Sequence, residues 1–162
     1  MIRIDIPATS ANLGSGFDSL GIALTMCNRV WMEEADELKI TTTDKIKVPT
    51  DETNLIYWAA RHLYQICGKT LPGLHIIQEN NIPMARGLGS SSACIVAGIL
   101  GANRMLGSPM SQSDLINLAA QIEGHPNNTS PAISGGLVAS AMEGKRVYSV
   151  SVPVSGKISF AV

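Results

Sequence analysis

The sequence has no surplus of charge of either sign. Twelve Lys and Arg stand against thirteen Asp and Glu, a net charge of −1. A nucleic-acid backbone or an anionic bilayer surface is met by a basic field, so the expected partners include neither nucleic acid nor membrane. Long apolar runs are missing too. The most apolar stretch, "CIVAGILGA", is far too short to span a bilayer and holds two glycines. The opening "MIRIDIPATSANLG" has no basic segment followed by an apolar one, so no secretory leader is expected. Cys27, Cys67 and Cys94 are odd in number and widely spaced, with no CxxC pair, which indicates neither a zinc site nor a disulfide framework. They read as small apolar residues in a reducing cytoplasm. Internal repeats and low-complexity linkers are also absent.

What is present suits a packed core. Hydrophobic residues make up 45% of the 162 and charged residues 15%, which fits one domain, or one domain and the start of another.

"IRIDIPA" alternates with Ile2, Ile4 and Ile6 on one side and predicts a strand. "IALTMCNRVWME", "ELKITTT" and the weaker "DKIKVP" predict further strands, and "LHIIQENNIP" a short strand running into a turn. "DETNLIYWAARHLYQICG" predicts a helix with Leu55, Trp58, Ala59, Leu63 and Ile66 on one face and Gly68 just past its end. Ser90 to Leu106 is apolar nearly all round, as a central, closely packed helix would be. "SQSDLINLAAQIEG" carries a capping box at Ser111 and Asp114, a stripe of Leu115, Leu118, Ala119 and Ile122, and Gly124 beyond it. "GGLVASAMEGKRVYSVSV" reads as a hairpin turning at Glu143-Gly144-Lys145, and "KISFAV" as the start of a new strand. The mixture predicts an α+β fold with a mixed or antiparallel sheet covered by helices on one face.

The run "PMARGLGSSSA", Pro83 to Ala93, is the most unusual in the chain. A linker would not lead straight into a buried apolar helix. A P-loop needs a lysine after its last glycine, and Gly89 is followed by Ser90 and Ser91. A Rossmann turn needs a third glycine and an acid about twenty residues on, and the sequence has neither. Two readings stay open. One is an anion cradle, in which glycines admit a phosphate to the N–H groups of a helix start. The other is a tight strand-to-helix turn with a serine N-cap. Two more loops are equally rich in small and short polar residues, "PATSANLGSGFDSLG" (Pro7 to Gly21) and "EGHPNNTSPAISGGL" (Glu123 to Leu137). Three such loops in one small domain suggest one converging site.

Together these segments resemble the GHMP kinase superfamily and, within it, the homoserine kinase family. "PMARGLGSSSA" is similar to the superfamily's ATP-phosphate loop, P-x-x-x-G-L-G-S-S-x-A. The other two loops are similar to P-A-T-S-A-N-L-G-P-G-F-D-S-L-G and E-G-H-P-D-N-V-A-P-A-x-x-G-G-L. Ser15 departs from a usual proline, Asn127 from a usual aspartate, and Thr129-Ser130 from Val-Ala. The resemblance covers the chain in order and matches an N-terminal domain alone, with residues 1–152 as the ATP-binding domain and 153–162 as the first strand of a second, truncated domain. It implies a left-handed βαβ crossover, which general topology rules disfavour. It also implies ATP and Mg2+ as cofactors, L-homoserine as substrate, phosphorylation of its hydroxyl, and a homodimer for the full-length form.

Residue roles follow from the resemblance. Pro83, Met84, Ala85, Arg86, Gly87, Leu88, Gly89, Ser90, Ser91, Ser92 and Ala93 would hold the ATP phosphates. Arg86 reads equally as phosphate-neutralising or as a solvated surface residue. Ser91 and Glu123 would ligate Mg2+. A carboxylate at a helix C-terminus, as Glu123 is, opposes the helix dipole, and a cation reverses that penalty. Asn12 and Asp18 would bind homoserine, Asp18 through the substrate ammonium; local Asx-turn bonding is the alternative for both. Asn128 would reach the substrate, and His125 would orient that loop. Asn54 could reach the adenine, although helix capping is the stronger reading. His62 and His75 read as ordinary, and Trp31, Trp58 and the methionines as core. No Asp–Lys base pair is evident, so catalysis by positioning is expected.

Overall fold

The computed structural model describes residues 1–154 and 156. Its elements are β1 (Ile2–Ala11), β2 (Leu20–Glu34), β3 (Lys39–Thr42), α1 (Leu55–Ile66), β4 (Leu74–Glu79), α2 (Ser90–Met105), α3 (Gln112–Glu123), α4 (Thr129–Ser134), β5 (Leu137–Glu143) and β6 (Arg146–Val152). The six strands form one mixed sheet in the order β3-β4-β2-β5-β6, with β1 paired to β2. Only β3 and β4 are parallel, and α1 lies between them in the chain. The fold is α+β, as expected. The new strand expected in "KISFAV" lies outside the described residues.

The long β2 organises the sheet. One edge pairs with β1. The other pairs with β5 over Leu20–Ile22 and with β4 over Arg29–Glu34. Between these two pairings, Asn28 is buried and replaces the ladder with its side chain. Its Oδ1 accepts from the backbone N–H of Asn81 (2.7 Å) and of Ile82 (2.8 Å). This steers the chain out of β4 and into the glycine-serine loop. Across β1 and β2 the register shifts, with Pro7 facing Cys27 and Thr9 facing Ala23. Such an irregularity turns a strand and re-aims its side chains.

Alternation fills one face. Ile6 and Ala8 of β1, Val30 and Met32 of β2, Ile40 of β3, and Leu74 and Ile76 of β4 are buried in one cluster with α1 and α2. Each fully buried Leu or Ile contributes about 1.5–3 kcal/mol. Helix α2 packs closely at two glycines, against a backbone carbonyl at Gly98 and against the end of a side chain at Gly101. A Cβ on Gly98 would lie 2.3 Å from the Ile56 carbonyl oxygen, and one on Gly101 would lie 2.4 Å from Met32 Sδ.

Three expectations are corrected. The buried face of α1 is Ile56, Tyr57, Ala59, Ala60, Leu63 and Tyr64, whereas Leu55, Trp58 and Ile66 are 41%, 44% and 52% exposed. The contact with Gly98 selects the small Ala59–Ala60 face, and the Tyr64 hydroxyl donates to Glu34. Trp58 is therefore not core; it stacks on His62. "DKIKVP" forms no strand, because Asp44 turns the chain by accepting from the backbone N–H of Ile46. The third loop contains the six-residue α4, which small residues without an apolar stripe did not announce. The capping box of α3 and the hairpin about Gly144 form as expected.

The Gly98 contact gives a stability prediction. Gly98→Ala should lower the urea midpoint, with a loss of about 1–3 kcal/mol from overpacking. An unchanged or raised midpoint would mean that α1 yields at no cost.

Candidate functional site

The run from Pro83 to Gly89 is irregular, and Ala85, Gly87 and Gly89 have φ of 55°, 70° and 66°. Gly89 is the N-cap of α2 and carries no side-chain cap bond. No serine caps the helix, so the serine-capped turn is not what the sequence forms. The first N–H groups of α2 are instead left without a side-chain acceptor, at the positive end of a sixteen-residue helix. Leu88 is buried and anchors the loop, its carbonyl accepting from the Thr9 backbone N–H at 3.1 Å. Arg86 is exposed and forms no ion pair among the described residues.

The first and third loops meet this turn. Asn12 Oδ1 accepts from the Asp18 backbone N–H at 2.8 Å and from Asn127 Nδ2 at 2.9 Å. Asn12 and Asp18 both hold positive φ, 59° and 53°, so part of their role is the Asx-type closure of the loop. The Asp18 carboxylate is exposed and makes no hydrogen bond among the described residues. The Thr9 hydroxyl donates to Asn128 Oδ1 at 2.9 Å. A Cβ on Gly89 would lie 2.1 Å from Thr9 Oγ1 and 3.3 Å from Asn128 Oδ1. All three loops thus converge within a few ångströms of Gly89.

Of the serines, Ser92 is buried and its hydroxyl donates to Glu123 Oε1 at 2.7 Å. Ser91, expected as the partner of Glu123, is exposed and lines a neighbouring cleft. That cleft has a volume of about 290 Å³. Its walls include Val48, Leu55 and Met84, with Ser90, Ser91 and Cys94 along the side of α2. Asn54 lines it but is only 3% exposed and fully engaged. Its Oδ1 caps α1 through the N–H groups of Ile56 and Tyr57, and its Nδ2 donates to Pro49 O and Gln78 Oε1. The capping reading of Asn54 is the one realised. Behind it, Gln78 donates to Asn80 Oδ1, and Asn80 donates to Asp44 through both backbone and side chain. Burial would raise the Asp44 pKa, but bonds from the Asn80 and Ile46 N–H groups outweigh it and hold the carboxyl below its usual range.

Thr9 was not singled out by the sequence reading, which named Ser92 only as part of the phosphate loop and Asn127 only as a departure from a usual aspartate. Asn127 is buried, with an unpartnered Oδ1. Alternation with Ile4, Ile6 and Ala8 would place Thr9 on the outward side, and only the register shift after Pro7 buries it. His125 has a buried Nδ1 without a hydrogen-bond partner among the described residues.

An uncapped helix start after a glycine turn, meeting two polar loops beside a largely apolar cleft, presents the kind of N–H donors that suit an anion. The family model for the GHMP kinases N terminal domain matches residues 54–136. The chain belongs to the GHMP kinase family. It is 44% identical to a homoserine kinase of Clostridium botulinum (strain 657 / Type Ba4) over 162 residues, which is 99% of this chain and 54% of that protein. A Listeria monocytogenes protein solved as a candidate homoserine kinase is 41% identical, with a TM-score of 0.82 over 93% of this chain and 53% of its own. The homoserine kinase structure of Cytophaga hutchinsonii is 30% identical, with a TM-score of 0.81 over 94% of this chain and 52% of its own. The chain spans about half the length of the curated relatives it matches.

Cys94 supplies a test of the local electrostatics. Burial, and secondarily the negative charge of Glu123, push its thiol up to about 11. Its alkylation, followed by mass spectrometry of its peptide, should be slow at about pH 8 and still rise steeply at about pH 10, because only the thiolate reacts. Glu123→Gln should shift that profile to lower pH. A profile levelling off near the value of an ordinary exposed thiol would contradict this environment.

Proposed function

We propose that the chain is the nucleotide-binding half of an ATP-dependent homoserine kinase, which transfers the γ-phosphoryl group to the side-chain hydroxyl of L-homoserine. One observation carries this reading: the three loops meet at Gly89, where α2 begins with N–H groups that no side chain caps. The likeness to homoserine kinases along the whole chain supports the choice of acceptor. A cytoplasmic enzyme, homodimeric in its full-length form, completes the proposal.

The ATP phosphates would lie along Pro83 to Ala93, with the N–H groups of Gly89 to Ser92 as donors and Arg86 at the exposed side. The base would occupy the cleft beside Asn54, whose part is to shape the wall rather than to bond the ligand. Glu123 and Ser91 fit Mg2+ chemically, since a carboxylate and a free hydroxyl are hard oxygen donors. Ser92, already donating to Glu123, would orient that carboxylate. Bound there, Mg2+ would offset the charge that develops on the transferring phosphoryl group. The free Asp18 carboxylate would take the substrate ammonium. Asn12, closed against Asn127, and Asn128, held by Thr9, would fix the acceptor beside the phosphate. Positioning and electrostatics would then supply the catalysis, without a dedicated protein base.

The direct test is homoserine-dependent release of ADP. Turnover with another small alcohol but not with homoserine would defeat the acceptor assignment. Calorimetry with Mg-ATP tests the cradle separately. Gly89→Ala places a Cβ at a φ of 66° and 2.1 Å from Thr9 Oγ1, so it should weaken nucleotide binding by about tenfold or more. Binding within about twofold of wild type would move the phosphates away from α2.

A further inference from the structure

We propose that Thr9 is a positioning residue. Its hydroxyl holds the Asn128 side-chain amide in place beside the first loop, and couples that side chain to the start of α2. The inference rests on the kinase reading above for its effect on turnover, but its structural content stands on the geometry alone.

Thr9 is 1% exposed, although a threonine at a strand end is an ordinary surface residue. The shifted register after Pro7 turns it away from the regular ladder and under the other two loops. There it makes three contacts of different kinds. Its backbone N–H donates to Leu88 O at 3.1 Å. Its hydroxyl donates to Asn128 Oδ1 at 2.9 Å. The same oxygen sits where a Cβ of Gly89 would be, at 2.1 Å.

The second observation comes from Asn128 itself. It is the N-cap of α4, where an asparagine ordinarily spends its Oδ1 on the helix N–H groups. It makes no such bond here. Its oxygen is committed to Thr9, which leaves Nδ2 as the free, donating end. A hydroxyl rotates to suit its acceptor, and an amide flips as a unit. Remove the hydroxyl, and no side chain among the described residues holds that amide. In a reaction that depends on placement, an error of about 1 Å can cost a hundredfold in rate. Thr9 would therefore act through Asn128, without touching the reacting atoms.

The experiment compares wild type with Thr9→Val, which keeps the shape and deletes the donor, and with Thr9→Ser, which keeps the donor. Thr9→Ala serves if valine prevents folding, as judged by thermal melting. Two readouts are taken on each protein. The first is the side-chain amide pair of Asn128 in 15N-resolved NMR without ligand. Wild type and Thr9→Ser should show one sharp pair, and Thr9→Val a shifted or broadened one. The second is turnover with ATP and homoserine. Thr9→Val should lose about tenfold in kcat with both KM values within about twofold, and Thr9→Ser should recover most of the loss. An Asn128 amide pair unchanged in Thr9→Val overturns the proposal, as does a loss of kcat that serine does not rescue. If wild type shows no homoserine turnover, the kinase reading fails on its own, and the NMR comparison still decides the role of Thr9.

Discussion

The approach of the Gly89 backbone to Thr9 is the contact on which the arrangement depends. A helix start normally finishes its N–H groups with a serine, threonine or aspartate at the cap. Here a left-handed glycine occupies that position, and the space its side chain would fill belongs to another strand. Two consequences follow together. The N–H groups of α2 stay available, and the first and third loops come within bonding distance of them. A side chain at Gly89 would disturb both at once.

Neutral amides do much of the joining. Asn28 carries the chain from β4 into the loop, Asn54 fastens α1 to the cleft wall, and Asn12 and Asn127 close the first loop onto the third. A net hydrogen bond of this kind contributes about 1 kcal/mol, and an unmade one costs more. Amides can donate and accept without the desolvation cost of a buried charge. Near the start of α2, the Glu123 carboxylate is held by the Ser92 hydroxyl, and Asp18 in the first loop is exposed. The low charge of the sequence is thus consistent with a site whose charges are few and placed.

Much of this was legible in the sequence. Period-two alternation marked β1 and β2, and glycines past their ends marked α1 and α3. The loop "PMARGLGSSSA" was recognisable as something other than a linker or a P-loop. Its physics alone left two readings, because capping is decided by whether Gly89 or a serine takes the left-handed turn. The face of α1 was misjudged because helical periodicity admits neighbouring stripes, and a tertiary contact, Gly98 against Ile56 and Ala59, chooses between them. The structural parts of Thr9 and Asn127 were not foreseen for a related reason. Their importance lies in partners more than a hundred residues away, which no local window contains. The apparent strand after Asp44 fails because Asp44 turns the chain through the Ile46 N–H, while its other oxygen is held by Asn80, 36 residues on.

Those distant partners bear on how the molecule assembles. Thr9 and Asn128 are 119 positions apart, and Asn12 and Asn127 are 115 apart. Helices α1, α2 and α3 can form from neighbouring sequence, but these two ties close only after most of the chain has been made and placed. Closing so long a loop is entropically costly and comes late. The site is therefore a record of completed folding. A chain with intact helices but an undocked third loop would keep its secondary structure and lack the site altogether.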